Sequence, residues 1–205
     1  VTRYIGNAPA AAVITSDQLS DAVVTTAKLD DEAVTEAKIE ASVLTQSRPQ
    51  LGTTKSASST VVDFTGIPSW VKKITVTLVA VSTNGTSRFI VQIGDSGGVA
   101  SSGYAASRVN LTNAGAVSIG GDSTGFHVMN AAAAADAYRG VVVLTLHDAA
   151  TNTWVSQSTI RSDTGTTIFL GVGSKALAAA LDRVRLTTDN GTDTFDAGSV
   201  NILYE

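Results

Sequence analysis

From about residue 56 onward, apolar and polar side chains alternate with a period of two. In "VKKITVTLVAV" (71–81), Ile74, Val76, Leu78 and Ala80 share one face, while Lys73, Thr75 and Thr77 share the other. Alternation of this kind predicts a half-buried strand. The Asn84-Gly85 pair that follows predicts a tight hairpin back into "RFIVQIG", where Phe89, Val91 and Ile93 again alternate. "GVVVLTLHD", "NTWVSQSTI", "TTIFLGV", "DRVRLTT" and "SVNILYE" are further strands, with a second Asn-Gly pair at 190–191 between the last two. Short strands separated by turn residues predict a mainly β chain: an antiparallel β-sandwich, with a jelly roll of eight or so strands as its natural form. Two alanine-rich stretches interrupt the pattern. "NAAAAADAY" (130–138) reads as a loop crossing a tight space, and "SKALAAALD" (174–182) as a short helix or a small-residue strand, with strand preferred.

The front of the chain follows another rule. Residues 13–48 repeat every ten positions, as "VITSDQLSDA", "VVTTAKLDDE", "AVTEAKIEAS" and "VLTQSR". Ile14, Val24, Val34 and Leu44 fall in one column, and Thr15, Thr25, Thr35 and Thr45 in another. Gln18, Lys28, Lys38 and Arg48 form a third column, and Leu19, Leu29 and Ile39 a fourth. On a straight α-helix ten residues advance about 1000°, so equivalent positions drift off any common seam. A continuous strand would keep phase, yet aspartate and helix formers crowd each unit. A short capped turn alternating with a reversing link reconciles the two. Each unit holds too few apolar side chains to offset an ordering cost of roughly 1–2 kcal/mol per residue. The repeat therefore calls for neighbouring copies of itself around an axis. A disordered acidic linker is the alternative, but a linker has no need of register.

Composition sharpens this organisation. Pro49 and the polar run after it mark a boundary, giving an amino-terminal peptide at 1–12, the repeat at 13–48, a linker at 49–55 and the sandwich at 56–205. Of 205 residues only 16% are charged, and the net charge is −4, so there is no basic footprint for nucleic acid. The chain has no cysteine, which excludes disulfides, thiolate catalysis and zinc–thiolate sites. No apolar run approaches the roughly 20 residues that span a bilayer, and "VTRYIGNAPAAAVIT" lacks the apolar core of a signal peptide, so no membrane insertion is expected.

Two stretches, "FTGIPSWVKKITVTLVAVSTNGTS" (64–87) and "LDRVRLTTDNGTDTFDAGSVNILYE" (181–205), resemble the carboxy-terminal head domains of bacteriophage fibre proteins. The ten-residue units resemble the short-repeat shafts of phage tail and head fibres. The resemblance implies a parallel homotrimer, an intertwined shaft carrying β-sandwich heads outward to a host surface polysaccharide or protein. It implies a virion location after a soluble stage in the host cytoplasm. Residues 1–12, in place of a sizeable docking domain, would plug into a virion socket protein, on the tail or as a head fibre on the capsid.

"GDSGG" (94–98) carries the letters that surround a catalytic serine in chymotrypsin-like proteases. Both histidines, His127 and His147, follow Ser96, and no helix opens after it as a nucleophile elbow demands. Gly-Asp-Ser-Gly-Gly reads instead as turn chemistry. Of Asp95, Asp122, Asp163, Asp189, Asp193 and Asp196, nearly all sit beside Gly, Ser, Thr or Asn, where aspartate makes Asx-turns rather than the carboxylate pair of a glycosidase. Neither histidine has a metal-ligand partner at i+2 or i+4, so no metal, cofactor or catalytic residue is expected. Trp70 is expected to pack at a sheet edge and Trp154 in the core or an interface between copies. Tyr104 and Tyr138, as loop aromatics, are the candidate ligand-binding residues.

Overall fold

The computed structural model describes residues 48–130, 132–134 and 136–205, together with the isolated positions 35, 39 and 43. The expected amino-terminal peptide and nearly all of the repeat lie outside these residues. Thr45–Glu205 form one compact unit.

That unit is mainly β, and its strands pair antiparallel. Among the described residues they are β1 (Gln50–Leu51), β2 (Lys55–Ser56), β3 (Val61–Thr65), β4 (Lys73–Thr83), β5 (Phe89–Asp95), β6 (Gly98–Val99) and β7 (Ala105–Thr112). There follow β8 (Val117–Asp122), β9 (Phe126–His127), β10 (Tyr138–Asp148), β11 (Thr153–Ser162), β12 (Thr167–Ala176), β13 (Arg183–Thr188) and β14 (Phe195–Tyr204). The larger sheet has nine strands in the order β1-β14-β4-β10-β11-β12-β7-β8, with β2 also on β14. The smaller has five in the order β3-β13-β5-β6, with β9 also on β5. Two antiparallel sheets are consistent with the expected β-sandwich, though the strands outnumber the eight or so of the expectation.

The long central strands arise where the alternation is cleanest. Along β11, Trp154, Ser156, Ser158, Ile160 and Ser162 are buried while each residue between them is exposed. Side chains from the two inner faces meet in one core. Phe89 of the smaller sheet stands edge-on to Phe195 and Tyr138 of the larger, with ring centroids 5.1 and 5.4 Å away. Such T-shaped pairs add about 0.5–1.5 kcal/mol each beyond the area they bury.

Several expectations are corrected. Asn84-Gly85 does not close a hairpin, because β4 and β5 lie in different sheets. The chain crosses the sandwich there, and Asn84 Oδ1 accepts the Thr194 N–H at 2.9 Å while its own N–H donates to the Thr194 carbonyl at 3.0 Å. The second Asn-Gly pair, between β13 and β14, crosses as well. The local turn signal is the same in both settings; the partner strand is decided by which face each strand buries. The supposed linker 49–55 carries β1, and with β2 it forms a broken edge strand along β14, Gln50 opposite Tyr204 and Lys55 opposite Val200. Of "SKALAAALD", only Ser174–Ala176 continue β12; the remainder is an irregular connection, neither helix nor strand. "NAAAAADAY" reaches Tyr138 through a loop whose Ala132 is buried.

Candidate functional site

Asp95, Ser96, Gly97 and Gly98 make the tight turn between β5 and β6. Asp95 Oδ1 accepts the Gly97 N–H at 2.9 Å, and Gly98 adopts φ +132°, a conformation that favours glycine. Ser96 is exposed at the tip.

Tyr104 and Tyr138 are not surface platforms. Both are buried, Tyr104 edge-on to Phe126 and Tyr138 against Phe89 and Phe169. Their hydroxyls serve the backbone. Tyr104 Oη accepts the buried Ile93 N–H at 2.9 Å and lies 2.9 Å from the Ala100 carbonyl. Tyr138 Oη accepts the Ala133 N–H at 2.9 Å. Burial pushes the Tyr104 phenol up to about 12. The reason for the misplacement is that a polar-looking loop can fold inward when its one aromatic has a hydroxyl to pair buried backbone. Trp70 is half-buried and leans on Tyr204 at 5.9 Å, and Trp154 is buried in the core.

Titratable groups converge elsewhere, at the end of the sandwich where β7 and β8 overhang β9. His127 is buried, with Nδ1 2.9 Å from Arg108 Nη1 and Nε2 2.9 Å from Asp122 Oδ2. The second contact is close without the alignment of a hydrogen bond. Arg108 also holds the Asn130 side-chain oxygen at 2.9 Å. Arg88 Nη2 reaches Asp189 Oδ2 at 2.6 Å and Asp122 Oδ2 at 3.8 Å. The Thr124 hydroxyl lies 3.0 Å from both Asp122 Oδ1 and Asp189 Oδ1.

The protonation states follow from this geometry. Burial, then the Arg108 charge, hold the His127 imidazole below its ordinary value, with Asp122 opposing. Burial alone would raise the Asp122 carboxyl; the backbone N–H groups of Thr124 and Ser123 and the Thr124 hydroxyl outweigh it and bring it down to about 2. At neutral pH the Asp122 carboxyl is therefore ionised and the His127 imidazole neutral.

Asp122, His127 and Asp189 offer ligand atoms within 4.8 Å of one another, a spacing that a cation could bridge. The two guanidiniums already balance the two carboxylates, however, so no ion is needed to neutralise them. The arrangement is a charge-compensated plug that closes one end of the core. Sequence spacing could not reveal it, because Asp189 comes from the β13–β14 connection and Arg88 from the β4–β5 crossing, on opposite arms of the chain.

The outer face of the larger sheet has the opposite character. One register row runs from Val141 through Thr159, Leu170 and Val109 to Ile119, all on the face away from the core. Ile168, Val172, Leu111 and Val117 flank it, and Ile119 is 78% exposed. The charges nearest this patch, Arg139 and Arg161, stand opposite each other at one end, Arg139 paired with Asp163.

No protein-family model, curated protein or solved structure matches the chain.

Proposed function

We propose that the protein is a structural fibre component of a bacteriophage virion, a homotrimer whose shaft of ten-residue repeats (13–48) carries β-sandwich heads for attachment to the host surface. The observation that carries this reading is the repeat itself, four columns in register over a segment too poor in apolar side chains to fold alone. A second observation supports it. The two stretches that resemble phage fibre heads, 64–87 and 181–205, fold side by side: β4 pairs with β14 in the larger sheet, and Phe64 and Thr65 at the end of β3 pair with Val184 and Arg183 of β13 in the smaller. Segments far apart in sequence thus make one two-layer unit.

In this reading residues 1–12 engage a virion socket protein, and the head displays its loops to a host surface polysaccharide or protein. Trimerisation would turn weak polar contacts into avid ones. The protein performs no chemistry and uses no cofactor. The alternative within the same architecture is a capsid head fibre or decoration whose adhesion is auxiliary. A receptor-degrading glycan hydrolase is the rival from another class. It needs two carboxylates about 5–10 Å apart, free to exchange protons in a cleft. Asp122 and Asp189 are instead engaged by Arg88 and Thr124.

Imaging the parent particle with an antibody against residues 56–205 tests the location. Label on a projecting knob is expected; label only inside the particle, or none, would overturn the fibre reading. Incubation with host polysaccharide separates binder from enzyme: retention without new reducing ends is expected, and new reducing ends would establish the hydrolase.

A further inference from the structure

We infer that the outer face of the larger sheet, on strands β10, β12, β7 and β8, is the surface through which the head packs against a second copy of this chain. The inference rests on the homotrimeric reading above and adds the interface, which the sequence pattern does not specify.

The first argument is chemical. A sheet with one solvated face ordinarily alternates apolar inward and polar outward. Strands β10 and β11 mix the two, with Thr145, Gln157 and Thr159 facing out beside Val141, Val143 and Val155. β12, β7 and β8 break the rule. Their outward positions include Ile168, Leu170, Val172, Leu111, Val117 and Ile119, all exposed, beside the smaller Ser107, Gly121 and Ser174. Apart from Phe169, their inner positions are small or polar, among them Gly171, Gly173, Ala106, Arg108, Asn110 and Gly120. On β7 and β8 the larger apolar side chains therefore stand on the solvent side. Burial of the chain's own core does not account for that; burial against another surface does.

The second argument is area. At the exposures found for these six side chains and Val141, the apolar surface left uncovered is roughly 600–700 Å², beyond the few hundred that a monomer normally shows in one patch and near the ~800 Å² that each partner brings to a standard interface.

Charge is compatible with a second copy as the partner. The centre of the patch contains no ionisable side chain, and Arg139 and Arg161 lie at its rim. Two copies can therefore meet there without burying like charges against each other, which is the arrangement of an apolar core within a polar rim. A charged polymer or an acidic or basic partner would find nothing in the patch to pair with. Around a threefold axis the contact is heterologous and closes: the β8 flank of one subunit meets the β10 flank of the next.

Two measurements on the full chain test the inference. In the first, a photo-reactive p-benzoylphenylalanine replaces Val117, and the irradiated protein is run on a denaturing gel and mapped by peptide mass. A band at twice the subunit mass, joined to the outer strands of another chain, is expected. Joining within one chain, joining to residues 1–48, or no joining would overturn the inference. In the second, Ile119→Asp/Leu170→Asp is compared with the parent protein by light scattering and thermal melting. Both side chains point away from the core, so folding survives, and dissociation or a melting temperature lower by at least about 5 °C is expected. Unchanged mass with melting within about 1 °C of the parent would overturn it. A parent protein that is itself monomeric at micromolar concentration would remove the trimeric reading too, whereas a trimeric parent that fails both tests removes only this interface.

Discussion

Tyr104 and His127 show how much of this head depends on single polar atoms meeting inside it. Removing the Tyr104 hydroxyl leaves the Ile93 N–H buried without its acceptor, so Tyr104→Phe is expected to cost about 1–3 kcal/mol in urea unfolding. Ser96→Ala, at an exposed turn tip, should stay within about 0.5 kcal/mol. A Tyr104→Phe protein as stable as the parent would contradict the hydrogen-bond account. His127 carries the pH dependence. Its folded pKa lies below the ordinary 6.5, so in the range between the two the unfolded chain binds more protons. Stability from this group is therefore complete above pH 6.5 and falls as pH drops through that range. Asp122, lowered from 3.8 to about 2, adds a second loss over that lower interval. The urea midpoint measured against pH should show the upper decline in the parent and lose it in His127→Gln; a parent curve flat from pH 7 to 5 would contradict the assignment.

At the scale of elements, two strands carry the irregularities that shape the sandwich. β4 holds Ala80 at φ +52° and β14 holds Gly198 at φ +87°, where their pairing shifts register. A Cβ on Gly198 would sit 2.2 Å from the Ala80 carbonyl oxygen, backbone that has little room to give. Gly198→Ala is thus expected to lower stability by about 2–4 kcal/mol, read as a lower urea midpoint with an unchanged slope. Equal stability would mean that β4 and β14 do not meet as described. How far these elements were legible depends on their environment. The alternation in 71–81 and in the 140–172 region predicts β4, β10, β11 and β12, because each packs one face against a core. β7 and β8 escape the pattern because their inner side is small or polar (Ala106, Arg108, Gly120) and their outer side apolar. The same Asn-Gly letters that close hairpins elsewhere serve here as crossings between layers, a choice made by tertiary packing rather than by the turn. The Arg88–Asp189 plug was invisible for a related reason: only the crossings bring its arms together.

For the whole molecule, two features point the same way from different ends of the chain. The repeat has register without enough apolar surface of its own, and the head has more apolar surface than its own core uses. Association of copies resolves both. On the fibre reading we propose, contacts between copies on the sheet face would leave the connecting loops free to meet a host surface. The sedimentation-equilibrium mass of the intact chain at micromolar concentration tests this most directly. The account predicts three times the mass of one chain, unchanged on tenfold dilution. A single-chain mass that stays constant with concentration would contradict it.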